Sequence, residues 1–272
     1  MKFLGFMGIA NISLIFFGSI DTLMLGKFVA LEYLGYYRAA LSLVIAIAIL
    51  SFPSGMLLPV FTQINGKRFD RGFHKTLRYI LMISIPATAG IIFIAKYLIK
   101  AVYGDTYLLA TSSIYFLSLL ILTTPLIGLY SIIFQSKEKP KIVSNAVLIS
   151  LFINIILNTC AIFLFKNNPL FIIAGVGLAT SFSRIILLSL LIFNTKKEFN
   201  FRVKGIGLRA PIFATIIMCA FLLGFNHFVN MNIFFGIMEI IIGAGIYLGS
   251  LILLKGINKE DFQLIKSIFK KR

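Results

Sequence analysis

Four charged side chains lie within or at the edges of long apolar stretches, where a charge is costly. Asp21 and Arg38 flank a short connection between two apolar runs. Arg184 lies deep in a third run, and Glu239 lies about two turns inside a fourth. Ionisable residues in such segments usually face a bundle interior or a water-filled cavity. All four are therefore candidate cavity residues. Asp21 and Arg38 are expected to pair, to contact a ligand, or to extend to lipid headgroups.

A stripe of hydrogen-bonding side chains is predicted on one further apolar run. Ser150, Asn154 and Asn158 recur every fourth residue, which places them on one face of a helix. Two interpretations stay open. The stripe joins neighbouring helices by hydrogen bonds, or it forms the polar wall of a cavity that admits sugars.

The sequence lacks the patterns of an enzyme. It has nine acidic residues, with no DxD, no HExxH and no paired carboxylates, and its two histidines, His74 and His227, are far apart. A phosphate-binding GxxxxGK[ST] loop is also missing. We therefore expect no catalytic site, no metal site and no cofactor. Cys160 and Cys219 lie in apolar runs and are expected to be buried, unpaired thiols.

The composition of the chain indicates a membrane protein. Of its 272 residues, 59% are hydrophobic and only 13% are charged, with a mean hydropathy of +0.99. A soluble domain carries about a quarter charged residues. The chain is therefore predicted to be an all-α polytopic membrane protein with about eight transmembrane helices. The predicted spans are roughly 3–25, 36–60, 79–101, 112–134, 142–165, 170–193, 210–229 and 232–254.

The distribution of cations predicts the orientation. The net charge is +17, and 20 of the 26 lysines and arginines fall on one side of the predicted spans. By the positive-inside rule both termini are cytoplasmic, in the cell membrane. This membrane topology accounts for the high positive net charge, so the charge does not indicate a nucleic-acid partner. Two amphipathic basic segments, 258–272 and 70–78, are predicted to anchor on anionic phospholipids of the cytoplasmic face.

Prolines inside the predicted spans suit a protein that changes shape. Pro53 and Pro59 lie in the second span, Pro86 in the third and Pro125 in the fourth. Each removes a backbone hydrogen bond and permits a kink. With polar groups on several spans and no enzyme motif, a transporter is favoured over a structural subunit.

Residues about 5–195 resemble a known family of transporters. The stretch "IDTLMLGKFVALEYLGYYRAALSLVIAIAILSFPSGMLLPVFTQ" resembles the middle of polysaccharide flippases of the multidrug/oligosaccharidyl-lipid/polysaccharide exporter superfamily, through Asp21, Gly26, Glu32, Gly35, Tyr36, Ala39, Ala40 and Pro59. In that family the Asp lies in a turn that ends a helix. "NIILNTCAIFLFKNNPLFIIAGVGLATSFSR" is similar to a later family segment, through Asn154, Leu157, Asn158, Gly175, Gly177, Ala179 and Thr180.

The resemblance implies an organisation and a function. Such flippases have about 14 helices in two six-helix lobes plus extra C-terminal helices, and this chain matches only the second lobe and the last two helices. Residues 1–195 are thus expected to form that lobe, and 196–272 a basic loop, a two-helix hairpin and a basic tail. The implied activity is the flipping of a polyprenyl-pyrophosphate-linked oligosaccharide. The first lobe is expected either in the same longer protein or in a partner subunit.

The resemblance also implies roles for the candidate residues. Arg184 and Arg38 are candidates for attracting pyrophosphate or acidic sugar, and Asn154 and Asn158 for contacting hydroxyls. The Asp21 turn would hold the outer end of the lobe. Two alternatives remain: a cation-coupled small-molecule antiporter of the same superfamily, and a non-transporting assembly subunit. The antiporter would need a carboxylate buried deep in a lobe, whereas the acids here are predicted to be few and peripheral.

Overall fold

The fold is entirely helical over the residues that the structure describes, which confirms the predicted fold class. The computed structural model describes residues 2–51, 57–64, 66–199, 207–228 and 233–256, and the side chains of these ranges except 2–7, 9–15, 227–228 and 233. The basic tail and Pro53 lie outside the described residues. The helices are α1 Lys2–Phe28, α2 Leu31–Ser51, α3 Leu58–Gln63, α4 Gly66–Tyr103, α5 Thr111–Leu117, α6 Leu119–Ser136, α7 Pro140–Leu164, α8 Pro169–Phe199, α9 Arg209–Phe228 and α10 Ile233–Leu253.

Seven helices in the described ranges are long and apolar enough to cross a membrane: α2, α4, α6, α7, α8, α9 and α10. The remaining predicted span, 3–25, forms the 27-residue helix α1. The chain is thus a multi-pass membrane protein.

Two predicted spans differ in outline from the observed helices. The second was expected to run to residue 60, but α2 ends at Ser51, and Pro59 lies in the first turn of the short helix α3. Proline is favoured in a first turn because its missing N–H would be unpaired there anyway. The fourth predicted span is divided at Ser118 into α5 and α6, and the Ser118 hydroxyl donates to the Tyr115 carbonyl at 2.8 Å.

The segment before the third span was predicted to anchor on the membrane surface, but its apolar side chains pack against protein. It is the first part of α4, where Phe69, Phe73 and Leu77 recur every fourth residue and share one helical face. That face is buried in a core with α6, and the ring of Phe73 packs edge-on against Tyr130 with 5.4 Å between centroids. Its apolar side chains therefore stabilise the bundle.

The α6–α7 loop carries two lysines that contact the beginning of α4 and the end of α8 at one end of the bundle, called here the basic end. Lys137, at the end of α6, lies 4.7 Å from the ring centroid of Phe69 near the start of α4. Lys139, just before α7, pairs with Glu198 near the end of α8. At the opposite end, Lys100 pairs with Asp105 at 2.7 Å. The contacts of Lys137 and Lys139 place the α6–α7 loop, the beginning of α4 and the end of α8 at the same end of the bundle.

The hairpin α9–α10 packs against α4 at the position of a proline. Pro86 has no N–H, so the carbonyl of Met82 four residues earlier loses its partner within the helix. The Tyr247 hydroxyl of α10 donates to that carbonyl at 2.6 Å. Met82, Met218 and Tyr247 belong to one buried apolar cluster. A polar group exposed by the proline is thereby satisfied from the hairpin.

The cysteines are free thiols, but only partly as expected. Cys219 of α9 is half-buried, whereas Cys160 of α7 is exposed on the outside of the bundle. The prediction that Cys160 is buried was wrong, because an apolar sequence does not distinguish a face toward lipid from a face toward neighbouring helices.

Candidate functional site

Helices α1 and α2 form a hairpin that is open along part of its length. They pack little against each other, since α1 packs mainly against α7 and α2 mainly against α5 and α6. Between them lies a cavity of about 450 Å³, called here the Arg38 cavity. Its lining includes Ser19 and Thr22 from α1 and Arg38 and Ser42 from α2.

Arg38 provides the only charge among the residues that line this cavity. Its side chain is exposed, and hydroxyls of Ser19, Thr22 and Ser42 share the lining. The Ser42 hydroxyl also lies 2.8 Å from the Tyr103 hydroxyl. A cation surrounded by hydroxyls suits an anionic, oxygen-rich ligand.

Asp21 is buried on the other side of α1. Only 1% of its surface is exposed. Its Oδ2 accepts hydrogen bonds from the Tyr37 hydroxyl at 2.8 Å and the Thr180 hydroxyl at 2.7 Å, and its Oδ1 accepts one from Asn158 Nδ2 at 2.7 Å. One carboxylate thus joins α1 to α2, α7 and α8.

Two asparagines extend this arrangement. Asn158 Nδ2 also lies 3.2 Å from Asn154 Oδ1, and Asn154 Nδ2 lies 3.3 Å from Thr180 Oγ1. We call Asp21, Tyr37, Asn154, Asn158 and Thr180 the Asp21 network. Neither asparagine has exposed surface. In this conformation the two amides join helices and do not line an open cavity.

Arg184 lies beside the Asp21 network. Its guanidinium carbon is 4.5 Å from the ring centroid of Phe17, and its Nε is buried without a hydrogen-bond partner. It interacts electrostatically with Asp21 and Tyr37 but forms no ion pair within 4 Å among the described side chains. Since Arg184 follows Thr180 by four residues on α8, both face the same side of the helix.

Asp21 and Arg38 do not pair, which excludes one of the three alternatives expected for them. Asp21 faces α7 and α8, whereas Arg38 faces the cavity. Asp21 also does not lie in a turn, because α1 continues as a helix to Phe28. The expectation that the acids are peripheral fails as well, since Asp21 and Glu239 are both buried.

Adjacent residues connect the Arg38 cavity to the Asp21 network. On α1, Asp21 belongs to the network and Thr22 lines the cavity; on α2, Tyr37 belongs to the network and Arg38 lines the cavity. Neighbours on a helix are about 100° apart around its axis. A rotation of either helix that moves the cavity wall therefore also strains the network.

Glu239 occupies a different place. It lines a mostly apolar cavity of about 400 Å³ between α4, α9 and α10. Its Oε1 accepts a hydrogen bond from Asn226 Nδ2 at 2.9 Å, and its Oε2 has no partner. The Asn226 contact joins α9 to α10 and gives Glu239 a role within the hairpin.

The donor set of the Asp21 network suits a hard cation or a proton. Its members offer carboxylate, amide and hydroxyl oxygens, the ligands that such cations prefer. Asn158 Oδ1 is buried without a hydrogen-bond partner and can accept one. Nothing in this group resembles a nucleophile with an adjacent base.

Sequence reasoning missed Tyr37 and Thr180. A signal existed for Thr180, which lies one helical turn before Arg184 and so shares its face. No comparable signal marked Tyr37, because its orientation depends on how α2 is rotated against α7 and α8.

Two comparisons with known proteins give positive results. A family profile described as "Polysaccharide biosynthesis protein" matches residues 1–112. Among solved structures, "Lipid II flippase MurJ, inward closed conformation" superposes with a TM-score of 0.73 at 21% identity, covering 90% of this chain and 51% of that one. No curated protein matches.

The likeness at 21% identity shows a shared fold, and this chain spans about half the length of the solved flippase. The profile match and the shared fold agree with the predicted resemblance to polysaccharide flippases.

Proposed function

We propose that this chain forms one lobe of a transporter that flips a lipid-linked oligosaccharide across the cell membrane for surface polysaccharide synthesis. The observation that carries the proposal is the Arg38 cavity, an opening between two membrane helices that holds a single exposed cation among hydroxyls. The family match and the flippase fold support the same function. The protein is a transporter and not an enzyme.

Arg38 is the residue that binds the pyrophosphate of the substrate in this proposal. An exposed guanidinium binds phosphate oxygens in pairs, and the hydroxyls of Ser19, Thr22 and Ser42 can contact sugar or phosphate. Arg184, Asn154 and Asn158 are not assigned to the substrate, because they lie inside the bundle beside Asp21. Their proposed role is to couple the cavity to the packing of α7 and α8.

The complete cavity requires a second lobe facing α1 and α2. We propose that this lobe belongs to the same longer protein or to a partner subunit, and that the two lobes rock about the cavity between them. The basic end and both termini of this chain face the cytoplasm, where anionic phospholipids contact the basic end.

A flipping assay tests this function. Protein purified with its native partners is reconstituted in vesicles that contain a fluorescent polyprenyl-pyrophosphate oligosaccharide, and exposure of the label to an external quencher is followed. Arg38→Ala should reduce the rate about tenfold or more, and Arg38→Lys should reduce it less. Lys100→Ala is the matched control, because Lys100 pairs with Asp105 away from the cavity. Equal rates for Arg38→Ala and the original protein would refute the proposal.

A cation-coupled small-molecule antiporter is a second candidate, favoured by one observation: the buried carboxylate of Asp21. Arg184 already compensates this charge in part, so a bound cation and Arg184 are alternative partners of Asp21. Uptake of an organic cation driven by a sodium or proton gradient, without flipping of the lipid, would favour the antiporter.

A further inference from the structure

A second apolar cavity lies at the end of the bundle opposite the basic end. It has a volume of about 500 Å³ and is bounded by the last turns of α4, by α5 and by the first half of α8. It shares no lining residue with the Arg38 cavity. The proposed function makes no use of it.

The walls of this cavity are open to the hydrocarbon. Phe116 of α5 and Phe171 and Leu178 of α8 line it, and each is at least 38% exposed outside the bundle. In a membrane, such side chains contact lipid chains. The cavity is therefore a groove that an acyl chain can fill.

Polar groups without partners also line this groove. Lys96 is exposed and pairs with no acid in the described part of the chain, unlike Lys100, which pairs with Asp105 at 2.7 Å. Thr111 is only 5% exposed, and its Oγ1 is buried without a hydrogen-bond partner. No acidic residue is among the lining residues.

The beginning of α8 adds further donors to the lining. Asn168 Oδ1 accepts the backbone N–H of Leu170 at 3.1 Å. This contact leaves the side-chain amide N–H₂ of Asn168 free to donate. The N-terminus of a long helix also carries a partial positive charge. Lys96, Thr111 and Asn168 thus offer an ammonium, a hydroxyl and an amide without an opposing carboxylate.

We infer that this groove binds an anionic phospholipid from the leaflet opposite the basic end. The phosphate contacts Lys96, Thr111 and Asn168, and one acyl chain lies along Phe116, Phe171 and Leu178. Charge favours an anionic over a zwitterionic headgroup, because Lys96 repels a choline or ethanolamine group and the lining holds no carboxylate that would offset this repulsion. The apolar walls select a lipid over a free anion.

Native mass spectrometry of the whole chain tests this inference. Protein released from detergent micelles that contain phosphatidylglycerol or phosphatidylcholine is compared for retained lipid. We expect phosphatidylglycerol to be retained at least about fivefold better, the effect of one lysine near a phosphate. Lys96→Gln and Thr111→Val should each reduce its retention, whereas Lys100→Gln should not.

Several results would overturn the inference. These are equal retention of the two lipids, an equal loss from Lys96→Gln and Lys100→Gln, and competition by inorganic phosphate at the concentration of the lipid. Lys96 is exposed, so its variant should keep the fold, and a thermal melt without added lipid checks this. Lipid flipping is not measured, so the result is independent of the proposed function.

Discussion

Asp21 Oδ1 and Asn158 Nδ2 are 2.7 Å apart, although 137 positions separate the two residues in the sequence. Both side chains are buried, and the bond joins the hairpin α1–α2 to α7. In a membrane, a polar contact between helices contributes about 0.6–2 kcal/mol. Asp21 accepts a second such bond from Thr180 of α8 and a third from Tyr37 within the hairpin, so two buried bonds from one carboxylate attach the hairpin to α7 and α8.

Replacing Asp21 with Ala should destabilise the bundle. Tyr37, Asn158 and Thr180 would each lose an acceptor, and a buried donor without a partner costs about 1–3 kcal/mol. We expect a clearly lower thermal midpoint in detergent. Asp21→Asn, which keeps the shape and one acceptor, should lose less.

Asp105→Ala is the control for this prediction. Asp105 is 68% exposed and pairs with Lys100 at the surface, where an ion pair contributes about 0–1 kcal/mol. If the thermal midpoints of Asp21→Ala and Asp105→Ala fell equally, the network would not attach the hairpin.

Replacing Arg184 with Gln should destabilise the protein, because it removes a positive charge near the buried carboxylate of Asp21. The guanidinium interacts with this carboxylate, so its loss leaves the buried charge to the hydrogen bonds from Tyr37, Asn158 and Thr180 alone. We expect a lower thermal midpoint than in the original protein. Adding Asp21→Asn to Arg184→Gln should recover part of the loss.

A double-mutant cycle over thermal or denaturant unfolding measures this coupling. Sodium titrations of the same proteins provide a further readout, since Arg184→Gln should increase the stabilisation by a small cation. Strictly additive losses would show that Arg184 and Asp21 act independently.

Tyr247→Phe should weaken the attachment of α10 to α4. The phenol is the donor to the Met82 carbonyl, and its removal should cost about 1–3 kcal/mol. In a Pro86→Ala background the helix can supply its own N–H to that carbonyl, so the same substitution should cost much less. A similar cost in both backgrounds would show that the Tyr247 hydroxyl does not replace the hydrogen bond that Pro86 removes.

Gly175→Ala should destabilise the packing of α7 against α8. A Cβ at this position would lie 3.1 Å from Ala161 Cβ and 3.2 Å from the Phe165 ring, and overpacking costs about 1–3 kcal/mol. Gly249→Ala on α10 is the matched control, since its Cβ would meet nothing within 4 Å. We expect the control to melt at the temperature of the original protein or slightly above. If Gly249→Ala melted at a lower temperature than Gly175→Ala, the close packing of α7 against α8 at Gly175 would be contradicted.

Seven of the eight predicted spans correspond to helices that are long and apolar enough to cross a membrane. Each helix in lipid must satisfy its own backbone, so hydropathy locates it. The ends were less predictable. The first part of α4 has the pattern of a surface helix, yet Phe73 and Leu77 are buried against α6. An amphipathic period indicates that one face is covered, but not whether lipid or protein covers it.

The sequence identified several residues of the candidate site but not how they are arranged. Asp21, Asn154 and Asn158 were identified because polar groups in lipid are costly. Their meeting depends on the rotation of α1 about its own axis, which no local pattern fixes. For the same reason, the sequence left pairing with Arg38 open as one alternative for Asp21.

The bond between Tyr247 and Met82 also has a mechanical meaning. Helix α4 is 38 residues long, about 57 Å, and Pro86 lies near its middle. A change of about 20° in the bend at Pro86 would swing the Tyr103 end by about 9 Å, while the Met82 carbonyl would hardly move. The hairpin α9–α10 is thus hydrogen-bonded to α4 next to the hinge, at the part of the helix that such a bend moves least.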